Sequence, residues 1–152
     1  TPPPDAIRLK MEYVMGIPVV PAQATVNGKV YQLRLSVDTG SDRVLDLNTP
    51  FVNKHRLLGS QVPFSVSSIS SSDTNKGRLE NVIFDSIQLG ACKLPLIPGA
   101  FSTVTSGIQS MPEMDGVMGN NLLKRFNLVY DSQNSCLYLI PGASAQVDDP
   151  GA

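Results

Sequence analysis

Val37-Asp38-Thr39-Gly40-Ser41 sets a carboxylate, a hydroxyl and a residue without a side chain side by side, at the end of a run patterned as a strand. Tyr31, Leu33, Leu35 and Val37 alternate with Gln32, Arg34 and Ser36, the period of two that gives a strand one buried face. Such a strand delivers Asp38 to its C-terminal end. A single exposed carboxylate, with a pKa of about 4, is an indifferent base at neutral pH. Two carboxylates forced together cannot both ionise, so they share a proton and titrate as a unit, one acting as base and the other as acid. Such a pair can take a proton from water, send that water at a peptide carbonyl, and hydrogen-bond the oxyanion that develops. The chemistry requires no metal, no other cofactor and no covalent intermediate. Thr39 would fix the loop through its hydroxyl and backbone, and Gly40 would supply a backbone geometry that a Cβ hinders. Asp-X-Gly also closes strands for purely structural reasons, so the triplet alone leaves both readings open.

A second segment bears on the choice. Asp115-Gly116-Val117-Met118-Gly119-Asn120-Asn121-Leu122-Leu123-Lys124-Arg125-Phe126 is followed by Asn127-Leu128-Val129-Tyr130-Asp131 and then by Leu137-Tyr138-Leu139-Ile140. Together with the Asp-Thr-Gly-Ser loop, this series resembles the retropepsin-like aspartic proteases of the bacterial single-domain type. In that family an Asp-Thr/Ser-Gly-Ala/Ser loop is paired with a hydrophobic-hydrophobic-Gly segment, a short helix and a closing strand hairpin. The resemblance runs from about Ile17 to Ile140. It implies a mainly β fold, a closed β-barrel equivalent to half of an acid protease, with one or two short helices. It further implies an aspartic endopeptidase in which Asp38, Thr39 and Gly40 form the catalytic loop, Ser41 and Asp42 line the site, and Val117, Met118 and Gly119 support it. Asp42 matches the acidic residue that follows the small one in viral relatives. There an Arg follows the downstream Gly and pairs with that acid; here Asn120 follows Gly119. Asp42 is left with Arg43, Arg125 or solvent, while the bacterial branch commonly lacks that Arg.

The number of such loops decides the expected assembly. Pepsin-like enzymes carry two lobes, each with its own catalytic Asp, whereas this chain of 152 residues holds one Asp-Thr-Gly. Asp115-Gly116 lacks the intervening hydroxyl residue and Asp131-Ser132-Gln133 lacks the glycine, so neither is a second catalytic loop. A symmetric homodimer that brings two copies of Asp38 together across a two-fold axis is therefore expected. Two other readings stand beside it: a module of the same fold that binds or assembles without hydrolysing anything, and one lobe of a longer two-lobed protease.

Hydrophobic content of 41%, charged content of 16% and a formal net charge of -1 suit one soluble domain with a proper core. They give no electrostatic footprint for nucleic acid or an anionic membrane surface. No stretch approaches the roughly 20 apolar residues of a membrane span, and no basic then apolar leader opens the chain. The partners expected are a peptide or protein substrate and a second copy of the chain, in the periplasm, the cell envelope or the secreted fraction. Residues 1–5, Thr-Pro-Pro-Pro-Asp, read as a Pro-rich linker. The domain is expected over 6–141, and the small, acidic residues 142–152 read as a flexible tail.

Between these ends the pattern predicts a hairpin of 22–26 and 29–37 about Asn27-Gly28, a short strand at 44–47, and further strands over 78–88 and 92–97. Thr49 as N-cap with Pro50 first in the helix predicts a short helix ended near Gly59. A water-excluding site needs a cover, and the Ser-rich stretch 64–81 is the expected hairpin, with Ser68, Ile69 and Ser70 as candidate substrate contacts near an apolar tip. A plain exposed loop is the other reading of that stretch. A second long loop over 101–114 is expected to border the cleft. His55 is expected in solvent, Cys92 and Cys136 as buried free thiols, and Met111, Met114 and Met118 as adaptable packing. With one His and two Cys, the usual zinc ligand sets cannot be assembled in one chain.

Overall fold

Asn27 and Gly28 both take positive φ, 53° and 78°, as a tight two-residue hairpin turn demands. They join β3 (Ile17–Val26) to β4 (Lys29–Asp38), paired antiparallel from Val19↔Ser36 to Val26↔Lys29. The chain, in a computed structural model, is described over residues 3–70 and 76–142, with backbone alone for 69, 70 and 76. Residues 1–2 of the expected linker, 143–152 of the expected tail and 71–75 of the expected cover lie outside the described residues. Ahead of the hairpin come β1 (Ile7–Lys10) and β2 (Glu12–Val14). After it come β5 (Leu45–Leu47), α1 (Thr49–Lys54), β6 (Ser65–Ser70), β7 (Lys76–Leu89) and β8 (Cys92–Ser102). The series ends with β9 (Gly116–Gly119), α2 (Asn120–Leu123), β10 (Phe126–Asp131) and β11 (Cys136–Pro141).

The protein is mainly β. Strands β3, β4, β9, β5, β8 and β7 follow one another in a single sheet. That sheet closes on itself through Gln23↔Gln88, Ala24↔Ile87 and Thr25↔Ser86, which makes a six-stranded barrel and removes the free edges a flat sheet would present. β2 hangs from β3 and β6 from β7, while β1, β11 and β10 form a separate three-stranded sheet. No helix among the described residues is long and apolar enough to cross a membrane.

The barrel is filled by the inward positions of its strands. β4 alternates buried and exposed up to Leu35, after which Leu35, Ser36 and Val37 are all buried. Phe84 and Phe101 meet with ring centroids 5.9 Å apart. Gly99 provides their room: a Cβ there would fall 2.1 Å from the Phe84 ring. Met114 and Met118 are fully buried, in keeping with the packing role expected of them.

Several expectations are corrected by local physics. The helix N-cap is Asn48, not Thr49, and Thr49 and Pro50 both lie in the first turn. Asn48 does not cap with its side chain; its Nδ2 donates instead to the carbonyls of Ile108 and Met111 at 3.0 Å and of Met114 at 3.2 Å. The Thr49 hydroxyl donates to Val104 O at 2.7 Å, a tertiary bond that outweighs a local cap. α1 stops at Lys54, before Gly59. β3 starts at Ile17 and β8 runs on to Ser102, so the expected 101–114 loop is shorter and carries a 3-10 turn at Ile108–Ser110. His55 is half-buried rather than in solvent, stacked on Phe51 at 4.3 Å and edge-on to Tyr31 at 5.1 Å. Neither cysteine is in a disulfide, and Cys136 is buried while Cys92 is only partly so.

Gly99→Ala forces its methyl into a ring that the core holds in place. Overpacking of this kind costs about 1–3 kcal/mol, so the variant's urea midpoint should fall by the corresponding amount. A midpoint equal to that of the parent protein would show that Phe84 gives way freely.

Candidate active site

β9 lies between β4 and β5, parallel to the first from Leu35↔Gly116 to Asp38↔Gly119, and antiparallel to the second from Leu45↔Met118 to Leu47↔Gly116. The chain leaving Asp38 must therefore pass around the end of β9 before it returns as β5. Residues 41–44 make that passage pressed against 119–121. Gly119 N–H donates to Val44 O at 3.0 Å, Asn120 N–H to Ser41 O at 2.7 Å and Asn121 N–H to Arg43 O at 3.1 Å. The Asn121 side-chain amide adds a bond to Asp42 O. The first N–H groups of a helix have no partner inside it; those of α2 are satisfied by carbonyls of the passing loop. A Cβ on Gly119 would sit 2.0 Å from Arg43 O, so only glycine permits the crossing. The two segments that stand far apart in the sequence, 38–42 and 117–121, are thus one unit in space.

Within the loop, Gly40 N–H donates to Asp38 Oδ1 at 3.1 Å, Ser41 N–H to Asp38 O at 3.3 Å and Arg43 N–H to Ser41 Oγ at 3.1 Å. The Asp38 side chain is half-buried, with Thr39, Gly40 and Asp42 exposed beside it. Its Oδ2 has no partner among the described residues. Two expectations change here. A Cβ on Gly40 would meet only Asp38 Oδ1, at an ordinary 3.4 Å, and the backbone there is not left-handed. What glycine does at this position is leave the approach to Asp38 uncovered. The Thr39 hydroxyl makes no hydrogen bond to the described residues, so it does not brace the loop within one copy of the chain.

Asp42 stands exposed, and Arg43 does not turn to it. Arg43 turns instead to Asp46, with Nε 3.1 and 3.3 Å from its carboxylate oxygens and Nη2 3.1 Å away. Asp46 is buried on β5. Burial pushes its carboxyl above the ordinary value of 3.8, against the pull of the Arg43 guanidinium and a hydrogen bond from Gln109. Arg43 Nη2 also donates to Asn81 Oδ1 on β7 at 2.5 Å, and Asn81 Nδ2 donates to Ser65 Oγ and Ser67 Oγ on β6, each at 3.0 Å. The loop is so tied to the base of the 64–81 hairpin. That hairpin exists, with β6 and β7 paired from Ser65↔Asn81 to Ser70↔Lys76. The candidate contact Ser68 alternates to the face opposite Ser65 and Ser67. Ile69 and Ser70 are placed by register alone, opposite Gly77 and Lys76.

The supporting segment Val117, Met118 and Gly119 is wholly buried. Asp115 and Asp131 have structural uses. Asp115 bridges to β4 through its N–H to Arg34 O and its Oδ2 from Arg34 N–H, both 2.8 Å. Asp131 accepts from Asn134 N–H at 3.2 Å and Nδ2 at 2.8 Å, bonds that hold its carboxyl below the usual range. Sequence reasoning offered Arg43 only as one of the options open to Asp42, and passed over its tie to Asp46 and Asn81. The signal for the tie to Asp46 was a lone carboxylate within the apolar run Val44-Leu45-Asp46-Leu47 with an arginine three residues before it; nothing local marked Asn81.

For Asp46 the sign is fixed by its raised value in the folded state. The protonated form is favoured by folding, so the contribution of this group to stability falls as pH rises from about its ordinary 3.8 through the raised value. Urea unfolding of the parent protein and of Asp46→Asn across pH 4–7 should show the parent losing ground to the variant as pH rises. A constant difference would mean that Asp46 titrates alike in the folded and unfolded chain.

No family model matches the chain, and no curated protein matches it. Among solved structures, a retropepsin-like aspartic protease from Rickettsia conorii superposes with a TM-score of 0.58 at 18% sequence identity, covering 88% of this chain and 89% of that one. The chain thus has a retropepsin-like, acid-protease fold over most of its length.

Proposed function

We propose that the protein is an aspartic endopeptidase, hydrolysing peptide bonds with water activated between two Asp38 carboxylates of a homodimer. The observation that carries this reading is the Asp38 loop itself. An acidic side chain is held at a strand end by Gly40 N–H, with its other oxygen unpartnered among the described residues, in a fold like that of the Rickettsia conorii protease. A lone Asp38 has no acid to accompany it as base. A second copy of the exposed tip Thr39-Gly40, related by a two-fold axis, brings the second carboxylate and gives each Thr39 hydroxyl a partner it lacks among the described residues of its own copy. One carboxylate then takes the proton of the attacking water while the protonated twin donates to the carbonyl oxygen, and the developing charge stays spread over the pair. Ser41 and Asp42 border the peptide on the loop side, and the 64–81 hairpin covers it. The domain is assigned to 6–141, with residues 1–5 and 142–152 as its linkers.

Asp38→Asn keeps the shape of the side chain but cannot share a proton in the same way. In a peptide-library digestion read by mass spectrometry, it should lose roughly 100-fold or more of the cleavage rate with an unchanged far-UV circular dichroism spectrum. Equal cleavage by the two proteins would remove Asp38 from the mechanism. The dimer has its own test. Adding excess Asp38→Asn protein to the active protein should suppress cleavage, because mixed dimers hold one competent carboxylate. Sedimentation velocity on the active sample should show a species of twice the chain mass. Undiminished activity in a purely monomeric sample would exclude the shared site.

A further inference from the structure

A cleft of about 280 Å³ opens where the segment leaving the Asp38 loop meets the base of the 64–81 hairpin, and Asp42, Arg43, Ser65, Ser67 and Asn81 are among its walls. Its hydrogen-bonding directions follow from the network already described. Arg43 spends Nε and Nη2 on Asp46 and Asn81, which leaves both protons of Nη1 without a partner among the described residues. Asn81 receives that donor on Oδ1, so its Nδ2 is the group that faces the two serines. Ser65 Oγ and Ser67 Oγ are acceptors in these bonds, and each keeps a hydroxyl proton to give. The exposed Asp42 carboxylate is the complementary acceptor. The cleft therefore offers several donors and one strong acceptor, with two carboxylates against a single guanidinium.

From this arrangement we infer that the cleft selects a peptide substrate residue bearing a carboxamide, glutamine or asparagine, with Arg43, Ser65, Ser67 and Asp42 as the residues that set the preference. The inference rests on the peptide-cleaving reading above and names part of its substrate class. A carboxamide matches both signs: its oxygen accepts from Arg43 Nη1 and a serine hydroxyl, and its NH2 donates to Asp42. A glutamate of the same shape sets a negative charge against the exposed Asp42 carboxylate. A leucine covers the apolar walls Val44, Leu45 and Phe64 but strips water from the donors and leaves them without a partner. A lysine satisfies Asp42 but leaves the donors unpaired and faces Arg43.

The test uses decapeptide libraries in which one position at a time is fixed as Gln, Glu, Leu or Lys. They are offered to the parent protein for cleavage and to immobilised Asp38→Asn protein for retention, both read by mass spectrometry. At one position relative to the cut bond, Gln should exceed Glu, Leu and Lys by about tenfold, since roughly a fivefold to tenfold effect attends each hydrogen bond lost. Ser67→Ala and Ser65→Ala, checked for folding by circular dichroism, should each shrink the Gln-to-Leu ratio about fivefold. Leu or Glu matching Gln at every position, or ratios unmoved in both serine variants, would overturn the inference while cleavage itself stood. If the parent protein cuts nothing, the protease reading fails, and retention on Asp38→Asn still decides the cleft: enrichment of Gln peptides supports it, and retention of no peptide overturns it.

Discussion

The crossing of residues 41–44 over 119–121 is the constraint on which the rest of the molecule turns. A parallel strand pair has to be joined by a long excursion, and here the excursion from β4 to β9 contains three of the six barrel strands, β5, β7 and β8. Once β9 is inserted between β4 and β5, the loop after Asp38 has one way out, over the end of β9. That route succeeds because residue 119 has no side chain and because the unpaired N–H groups opening α2 meet the loop's carbonyls. The loop is thus held largely by backbone groups of another segment, with little demand on its own side chains. Asp38, Thr39 and Asp42 stand with few or no partners because the backbone bonds have already done the holding.

The same economy explains how the loop and the 64–81 hairpin are coupled. Arg43 leaves the crossing, meets a buried carboxylate on β5, and passes on through Asn81 to two serines on β6. A buried carboxylate facing one guanidinium is a poor source of net stability, since desolvation offsets much of the attraction. Its use here is geometric: it fixes the orientation of Arg43, which fixes the amide of Asn81, which fixes the direction of each serine hydroxyl. A polar surface with settled donors and acceptors is what discrimination between similar side chains requires.

The barrel was legible wherever local rules coincide with tertiary demands. Asn27-Gly28 allows little except a tight hairpin, and the alternation from Tyr31 to Val37 identified the strand that ends at Asp38. Both functional segments were visible as well, Asp38 to Asp42 by residue type and Val117 to Gly119 by apolar pattern and glycine. Their contact was not, because nothing in either segment encodes pairing across some eighty positions of chain. The errors have the same origin. Thr49 reads as a cap, but a buried carbonyl at Val104 claims its hydroxyl. His55 reads as solvated beside Lys54 and Arg56, but Tyr31 on a distant strand supplies an aromatic wall. For Asp42 the sequence leaves Arg43, Arg125 and solvent open, and Arg43 instead meets the buried Asp46 on β5.

The parallel register of β4 and β9 also has a consequence in time. Asp38 leaves the ribosome long before Gly119, and until the later segment arrives the loop around that carboxylate lacks the donors that shape it. Contacts so remote in the chain close slowly and late, so a nascent or truncated polypeptide carries the acidic residue without its setting. Assembly of the loop is thereby delayed until β9, the last of the barrel strands in chain order, has been synthesised.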